Sequence, residues 1–279
     1  MHVLKGKSVL VTGAGQGIGR SLALGLADAG ANLIIVDIDA GALNEAAAQT
    51  QARGARVLSK IMDVTDAAAA QDLRDEAQAL FGSVDVVVNN AAVGAESISP
   101  RYLKEPTKFW NVSDQLWLAM LRVNVFGPQL MSRTFVEGMI HKGWGRIVNI
   151  TTSLDTMYRQ GLGGYGPCKA ALEAATRVMA QDLEGTGVTA NVLVPGGPVN
   201  TRMVSPENGF SQDELIQPDQ MCEPLVWFCS NESDRINGIR VVANKWNAEA
   251  PLEHRLAEAS APVAWPQLGA QSAFPVAPT

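Results

Sequence analysis

The chain of 279 residues is 47% hydrophobic with a formal net charge of −6, enough apolar residues for the core of one large α/β domain and too little basic charge for nucleic acid or an anionic membrane as main partner. No apolar stretch reaches the length of a membrane span, and the first strand starts too near Met1 to leave room for a signal peptide. Cys168, Cys222 and Cys229 lack C-x-x-C spacing and the three histidines are isolated, so a disulfide framework or a metal site has little support and a cytoplasmic enzyme fits.

Ser8 to Val11 is a β-branched, apolar run that reads as a buried strand. It leads into T-G-x-x-x-G-x-G, from Thr12 to Gly19, and a helix predicted from Gly17 to Ala29 and ended by Gly30. A strand turning sharply into a helix aims the helix's free N–H groups and the positive end of its dipole at the space above the turn, which favours a phosphate. Gly13 permits the turn, Gly17 lets a pyrophosphate approach the backbone, and Gly19 lets helix and strand pack closely. A second strand, Asn32 to Val36, ends in Asp37. A carboxylate there accepts hydrogen bonds from ribose hydroxyls and repels a 2′-phosphate, so NAD(H) is favoured over NADP(H). Asp39 strengthens that bias, and Arg20 is the nearby cation that opposes it.

An alanine-rich helix over 41–53 closes at Gly54. A third strand, Val57 to Met62, precedes Asp63-Val64, and Thr65 or Asp66 caps a helix that runs to Phe81. Val84 to Val88 is a fourth strand leading into Asn89-Asn90-Ala91-Ala92. Strands alternating with helices imply a parallel sheet covered on both faces. Residues 93–112 form a long connection that carries Tyr102, Phe109 and Trp110 beside Arg101, Lys104 and Lys108. Ser113 or Asp114 caps the next helix, in which Pro128 removes the donor that would bond the Asn124 carbonyl. Arg146 to Thr151 and Val188 to Val194 are the fifth and sixth strands, with a helix from about Gly164 to Glu184 between them. A helix at Pro224 to Ser230 and a strand at Ile239 to Ala243 complete a doubly wound sheet of about seven parallel strands. The domain spans 1–246, and 247–279 reads as an Ala/Pro-rich surface extension with Trp265 and Phe274 as anchors.

Tyr165 and Lys169 are four residues apart, on one helical face that continues through Leu172, Thr176, Met179 and Leu183. A lysine beside a tyrosine hydroxyl favours the phenolate and makes tyrosine a usable acid/base near neutrality. The pair follows a strand's C-terminal end, where open α/β sheets bind ligands.

TGAGQGIG, Asp37, Asp63-Val64, NNAA, Asn124, the TTS segment, YGPCK and PGGPVNT occur in the order found in short-chain dehydrogenases/reductases, and from about residue 5 to 245 the chain resembles that family. The resemblance implies a Rossmann-like domain with Tyr165 transferring the proton and Lys169 lowering its pKa while binding the nicotinamide ribose. It also implies that Asn124 holds a water through its carbonyl. The hydroxyl that orients the substrate oxygen is Thr152, 13 residues before Tyr165 as is usual in the family, or Ser153, the residue type the family normally uses. Further cofactor contacts are implied at Gln16 and Ile18 in the glycine turn, Ile38 after Asp37, Asp63 and Val64, and Asn90 and Ala91. Pro195, Gly196, Val199 and Thr201 are expected at the nicotinamide. Family analogy also implies a homo-oligomer, dimer or tetramer, paired through the helices at 113–139 and 164–184.

Together these features predict hydride transfer between NAD and a secondary alcohol or its ketone. A non-catalytic NAD-binding module and an NAD-using epimerase or dehydratase are the competing classes; the complete Tyr/Lys/Asn/hydroxyl set opposes the first and the short C-terminal part opposes the second. Val93 to Glu96, Leu154, Asp155, Met157, Tyr158, Arg159 and Met203 are candidate pocket residues. Asp155 and Arg159 point to a polar substrate such as a sugar, polyol or hydroxy acid. The 93–112 connection, longer than usual for the family, is expected to wall the pocket with its apolar side chains and offer its three cations to the substrate.

Overall fold

The β-branched runs form the strands β1 (Ser8–Thr12), β2 (Asn32–Asp37), β3 (Val57–Ile61), β4 (Val86–Asn89), β5 (Gly145–Ile150), β6 (Val188–Val194) and β7 (Ile239–Val242), and a further strand, β8, spans Ser260–Pro262. The helices are α1 (Gly17–Asp28), α2 (Ala40–Ala52), α3 (Ala67–Phe81), α4 (Asp114–Leu121), α5 (Gly127–Lys142), α6 (Leu154–Met157), α7 (Tyr165–Asp182), α8 (Cys222–Phe228) and α9 (Leu252–Ala259). The computed structural model describes residues 2–268. All strands belong to one sheet in the order β3-β2-β1-β4-β5-β6-β7-β8.

Alternate residues of a strand face opposite sides of a sheet, and both sides of this one are apolar. Val9, Val11, Leu33 and Ile35 pack with residues of α1, α2 and α8, whereas Leu10, Ile34 and Val36 pack with residues of α3, α5 and α7. That two-sided burial is why these strands read as continuous apolar runs. The chain winds outward from β1 to β3 and returns to place β4 on β1's other side. The order reverses there, and the crevice above the C-terminal ends of β1 and β4 is the switch point where such sheets bind ligands.

The expected seven parallel strands become eight, because β8 pairs antiparallel with β7. The segment expected as a surface extension turns back through α9 onto the sheet edge, burying Ala259 and Val263 to 2% and 1% exposure. A strand of three residues is too short to show a period, and its proline is tolerated because it lies on the edge. Trp265 follows in a left-handed conformation and is half-buried; Phe274 lies outside the described residues. At the disturbed helix, Pro128 has no N–H for the Asn124 carbonyl, and the chain widens into a π-helical turn over Arg122–Phe126 before α5.

Candidate active site

The glycine turn between β1 and α1 is held from β4. Asn90 Nδ2 donates to the carbonyls of Thr12 and Gly13 at 2.9 and 3.1 Å, and the Thr12 hydroxyl accepts from the N–H groups of Asn90 and Ala91 at 3.0 Å each. An added Cβ at Gly13 would lie 2.8 Å from the Ala91 Cα, and one at Gly19 would run into the Gly13 carbonyl oxygen. Gly17 adopts φ +53°, which only glycine takes readily. Above this turn opens a cleft of about 370 Å³. It is lined by Gly13, Gln16, Gly17, Ile18 and Gly19, by Asp37 and Ile38 at the end of β2, and by Asp63 and Val64 after β3. Asn90, Ala91 and Thr201 also line it, so residues from five separate segments meet there. The turn leaves room that side chains would fill, and its residues fit a dinucleotide.

Asp37 is fixed at the cleft wall: Oδ2 accepts from Gly15 N–H at 2.8 Å and Oδ1 from Asp39 N–H at 3.1 Å. Arg20 is turned to Glu45, 3.4 Å away, and to the Gly15 carbonyl, so its charge is engaged away from Asp37. Arg202, which no motif marks, also lines the cleft and meets the Gln16 amide when that amide's oxygen faces the guanidinium.

A second cavity of about 350 Å³ adjoins the first, sharing Ile18, Asn90, Ala92, Thr201 and Met203 with it. Tyr165 and Lys169 from the first turns of α7 line it together with Thr152 and Ser153 from the loop after β5. Pro195, Gly196 and Val199 from the loop after β6 form the adjoining wall. Thr152 and Ser153 are both present, whereas the neighbouring Thr151 hydroxyl donates to Glu173 at 3.3 Å. Asn124 is fully buried in the π-helical turn packed against α7, its amide paired with the Val93 backbone at 2.8 and 2.9 Å.

Lys169 Nζ donates to the Ile150 carbonyl at 2.9 Å and lies 5.8 Å from the centre of the Tyr165 ring. Burial lowers the lysine to about 8, opposed by Cys168. Burial drives the Tyr165 phenol well above its ordinary range, with smaller contributions from Tyr102 and Glu96. The net direction at Tyr165 is therefore upward, not the lowering expected from Lys169, because burial dominates and Lys169 is not among the causes of the shift. The sign of the lysine's shift carries a stability consequence. Between pH 8 and 10.5 the unfolded chain holds a proton on this lysine that the folded one has released, so folding is penalised fully below pH 8 and the penalty fades as pH rises to 10.5. Lys169→Met is expected to melt higher than wild type at pH 7, by on the order of 3 kcal/mol less the lost hydrogen bond. That advantage should shrink toward pH 10.5 in melting curves taken across the range.

The candidate pocket residues divide. Ala95, Asp155 and Arg159 line the second cavity, Val93 and Glu96 the glycine-walled cleft, and Met203 both. Met157 is buried in the fold and Tyr158 stands 73% exposed. Asp155 and Arg159 bond each other at 3.1 Å. The 93–112 connection does wall the cavity, through Ala95, Tyr102 and Leu103. Its three cations do not: Arg101 pairs with Glu105 at 2.6 Å, Lys104 lies against Gly209, and Lys108 is exposed. Phe109 and Trp110 stack edge to face on the outer surface, 74% and 67% exposed. Asn208, 2% exposed, ties the connection to the segment after β6, accepting from Leu103 N–H at 3.0 Å and donating to the Pro100 carbonyl at 2.8 Å. Beneath the site, Arg240 donates to the Thr152 carbonyl at 2.9 Å and faces buried Glu173 at 3.5 Å. No sequence signal marked Asn208, Glu173 or Arg240, because their partners lie far along the chain.

Comparison with known proteins agrees with this geometry. The family model for short chain dehydrogenase matches residues 7–211. A short-chain type dehydrogenase/reductase of Picea abies is 37% identical over 258 residues, 86% of this chain and 92% of that protein. Fluoren-9-ol dehydrogenase of a Terrabacter strain is 35% identical over 262 residues, 87% of this chain and 72% of that protein. In fold, the chain is similar to carveol dehydrogenase from Mycobacterium avium, solved in complex with NAD, with a TM-score of 0.76 over 85% of this chain and 96% of that one at 22% identity. The chain belongs to the short-chain dehydrogenase/reductase family of oxidoreductases.

Proposed function

We propose that this protein transfers a hydride between NAD(H) and a secondary alcohol or its ketone. The observation that carries the reading is one cavity in which Tyr165, Lys169 and two candidate hydroxyls meet and which opens onto a glycine-walled cleft fit for a dinucleotide. When bound, the dinucleotide supplies the hydride acceptor or donor and, in its oxidised form, a positive charge near Tyr165. The Tyr165 hydroxyl exchanges the proton of the substrate oxygen, and a hydroxyl of Thr152 or Ser153 holds that oxygen. Lys169 holds the ribose next to the ring, and the Asn124 carbonyl extends the proton path. Incubating the protein with NAD⁺ and a panel of secondary alcohols, with dinucleotide absorbance followed, tests the activity. Turnover with one or more alcohols is expected, and none with any alcohol or ketone would overturn it.

The substrate reading shifts from a sugar or hydroxy acid toward an apolar skeleton. Asp155 and Arg159 satisfy each other, and Leu103, Leu162 and Met203 contribute hydrocarbon to the walls. The fluoren-9-ol dehydrogenase relative, named for an apolar secondary alcohol, is consistent with this.

The cofactor reading rests on Asp37. Its fixed carboxylate is set to accept from ribose hydroxyls and to repel a 2′-phosphate, with Arg20 engaged elsewhere. Asp37→Ala should narrow the preference for NAD(H) over NADP(H) by on the order of tenfold to a hundredfold. Titration of both dinucleotides checks this, and equal wild-type affinities would refute it. Leu118, Leu121, Phe126 and Val178 leave apolar surface on α4, the π-helical turn and α7, which supports a homo-oligomer formed through those helices. Among the described residues no helix is long and apolar enough to cross a membrane.

A further inference from the structure

We propose that Tyr102 is a specificity-determining residue of the catalytic cavity, donating a hydrogen bond from its hydroxyl to a second, uncharged oxygen of the substrate, distinct from the one Tyr165 handles. The substrate class is then a secondary alcohol or ketone on a compact apolar skeleton that carries another hydroxyl or oxo group. This deepens the hydride-transfer reading and rests on it for its catalytic meaning.

The first observation is placement. Tyr102 comes from the long connection, not from any part of the family's motif set, yet it lines the same cavity as Tyr165 and shares one apolar cluster with it. It is 8% exposed. Among the described residues its hydroxyl makes no hydrogen bond, yet it is not sealed in the protein interior, and the cavity walls nearest in sequence and cluster are Leu103 and Leu162. A tyrosine hydroxyl that reaches a cavity without a protein partner is left to bond whatever occupies that cavity. A substrate oxygen in the cavity is the partner this geometry leaves open.

The second observation is rigidity. The residue after Tyr102 donates its N–H to the buried Asn208 side chain at 3.0 Å, and the carbonyl of Pro100 accepts from the same side chain at 2.8 Å. Tyr102 is thus flanked on both sides by bonds to one buried residue of the segment after β6. A donor held before the ligand arrives costs little to order on binding.

The third observation is charge. Burial and neighbouring Glu96 push the Tyr102 phenol up to about 12, with Arg159 opposing, so it remains a donor across neutral pH. Glu96 is half-buried and its Oε2 has no partner. A carboxylate accepting from Tyr102 would stand between Glu96 and Arg159, whose effects on Tyr102 oppose each other, whereas a neutral oxygen takes the hydrogen bond without depending on either charge.

The test uses the full chain loaded with NADH and three ketones that differ at one position: cyclohexanone, 1,4-cyclohexanedione and 4-oxocyclohexanecarboxylate. Calorimetric titration of the wild type is expected to find the dione bound tighter than cyclohexanone by on the order of tenfold, with the carboxylate gaining nothing. Tyr102→Phe keeps the ring and its packing, so its melting temperature and NADH affinity should match wild type while the dione's advantage vanishes. An advantage that survives in Tyr102→Phe, or a wild type that binds the dione no better than cyclohexanone or not at all, overturns the inference. NADH consumption followed in parallel separates the two readings. A dione advantage in binding without turnover of any ketone removes hydride transfer and leaves the role of Tyr102 standing, whereas turnover without the advantage does the reverse.

Discussion

Tyr165→Phe should lower kcat by about a thousandfold, the order that a positioned acid/base contributes, while dinucleotide affinity stays near wild type. The substitution removes one oxygen from a ring that is 8% exposed, and the hydrocarbon packing around it persists. The dinucleotide cleft is not lined by Tyr165, so its walls are untouched. The wild type's pH response follows from burial. Because the phenol is driven above its ordinary range, the protonated form that donates in ketone reduction persists through neutral pH, and the reduction rate should be flat there. Alcohol oxidation needs the proton-accepting form, whose population grows as pH rises, so its rate should climb with pH across the same range. Steady-state kinetics in both directions checks both statements, and a Tyr165→Phe variant that kept most of its turnover would remove Tyr165 from the chemistry.

Gly19→Ala should have a comparably large effect on the other half of the site. An added Cβ would run into the Gly13 carbonyl oxygen and stand 2.5 Å from Asn90 Nδ2. Both obstacles are fixed, one being backbone and the other a side chain already committed to the Thr12 and Gly13 carbonyls. The turn must open, at a cost of about 3 kcal/mol, and if this turn seats the phosphates as proposed the loss should register as roughly a hundredfold weaker dinucleotide binding. Melting temperature without and with NADH separates the parts: a lower value in both, with a smaller gain on adding NADH, is expected. As a contrast, a Cβ at Gly54 meets nothing within 4 Å, so Gly54→Ala suffers only the strain of φ +85° and should leave NADH affinity unchanged. A Gly19→Ala variant with wild-type affinity would mean that the turn does not hold the dinucleotide.

Much of the site was legible in the sequence because its information is local. The strand, three glycines and helix from Ser8 to Asp28 are consecutive, and Tyr165 and Lys169 share a face through helical spacing alone. Asp66, not Thr65, caps α3, and Ser113, not Asp114, caps α4, choices between neighbours that depend on side-chain geometry. The π-helical turn at Asn124 was foreshadowed by Pro128, whose missing donor is a property of the residue itself.

What the tertiary structure decided is what depends on distant partners. Whether Lys169 lowers the Tyr165 pKa hinges on how completely α7 is buried, and no spacing reports burial at that depth. The three cations of the long connection look available in the sequence, but Lys104 comes to lie against Gly209 and only the fold turns Tyr102 inward. Asn208 and Pro100, or Arg240 and Thr152, are 108 and 88 residues apart and become partners only when the fold brings their segments together. The sequence by itself determined the alternating strands and helices, the phosphate-favouring turn and the Tyr/Lys pair, because hydrophobic period, glycine conformation and helical spacing act within a few residues. Only the tertiary structure decided the eighth strand, the walls of the cavity and the charge state of its acid, because edge pairing, side-chain orientation and desolvation are set by what packs against a residue from elsewhere in the chain.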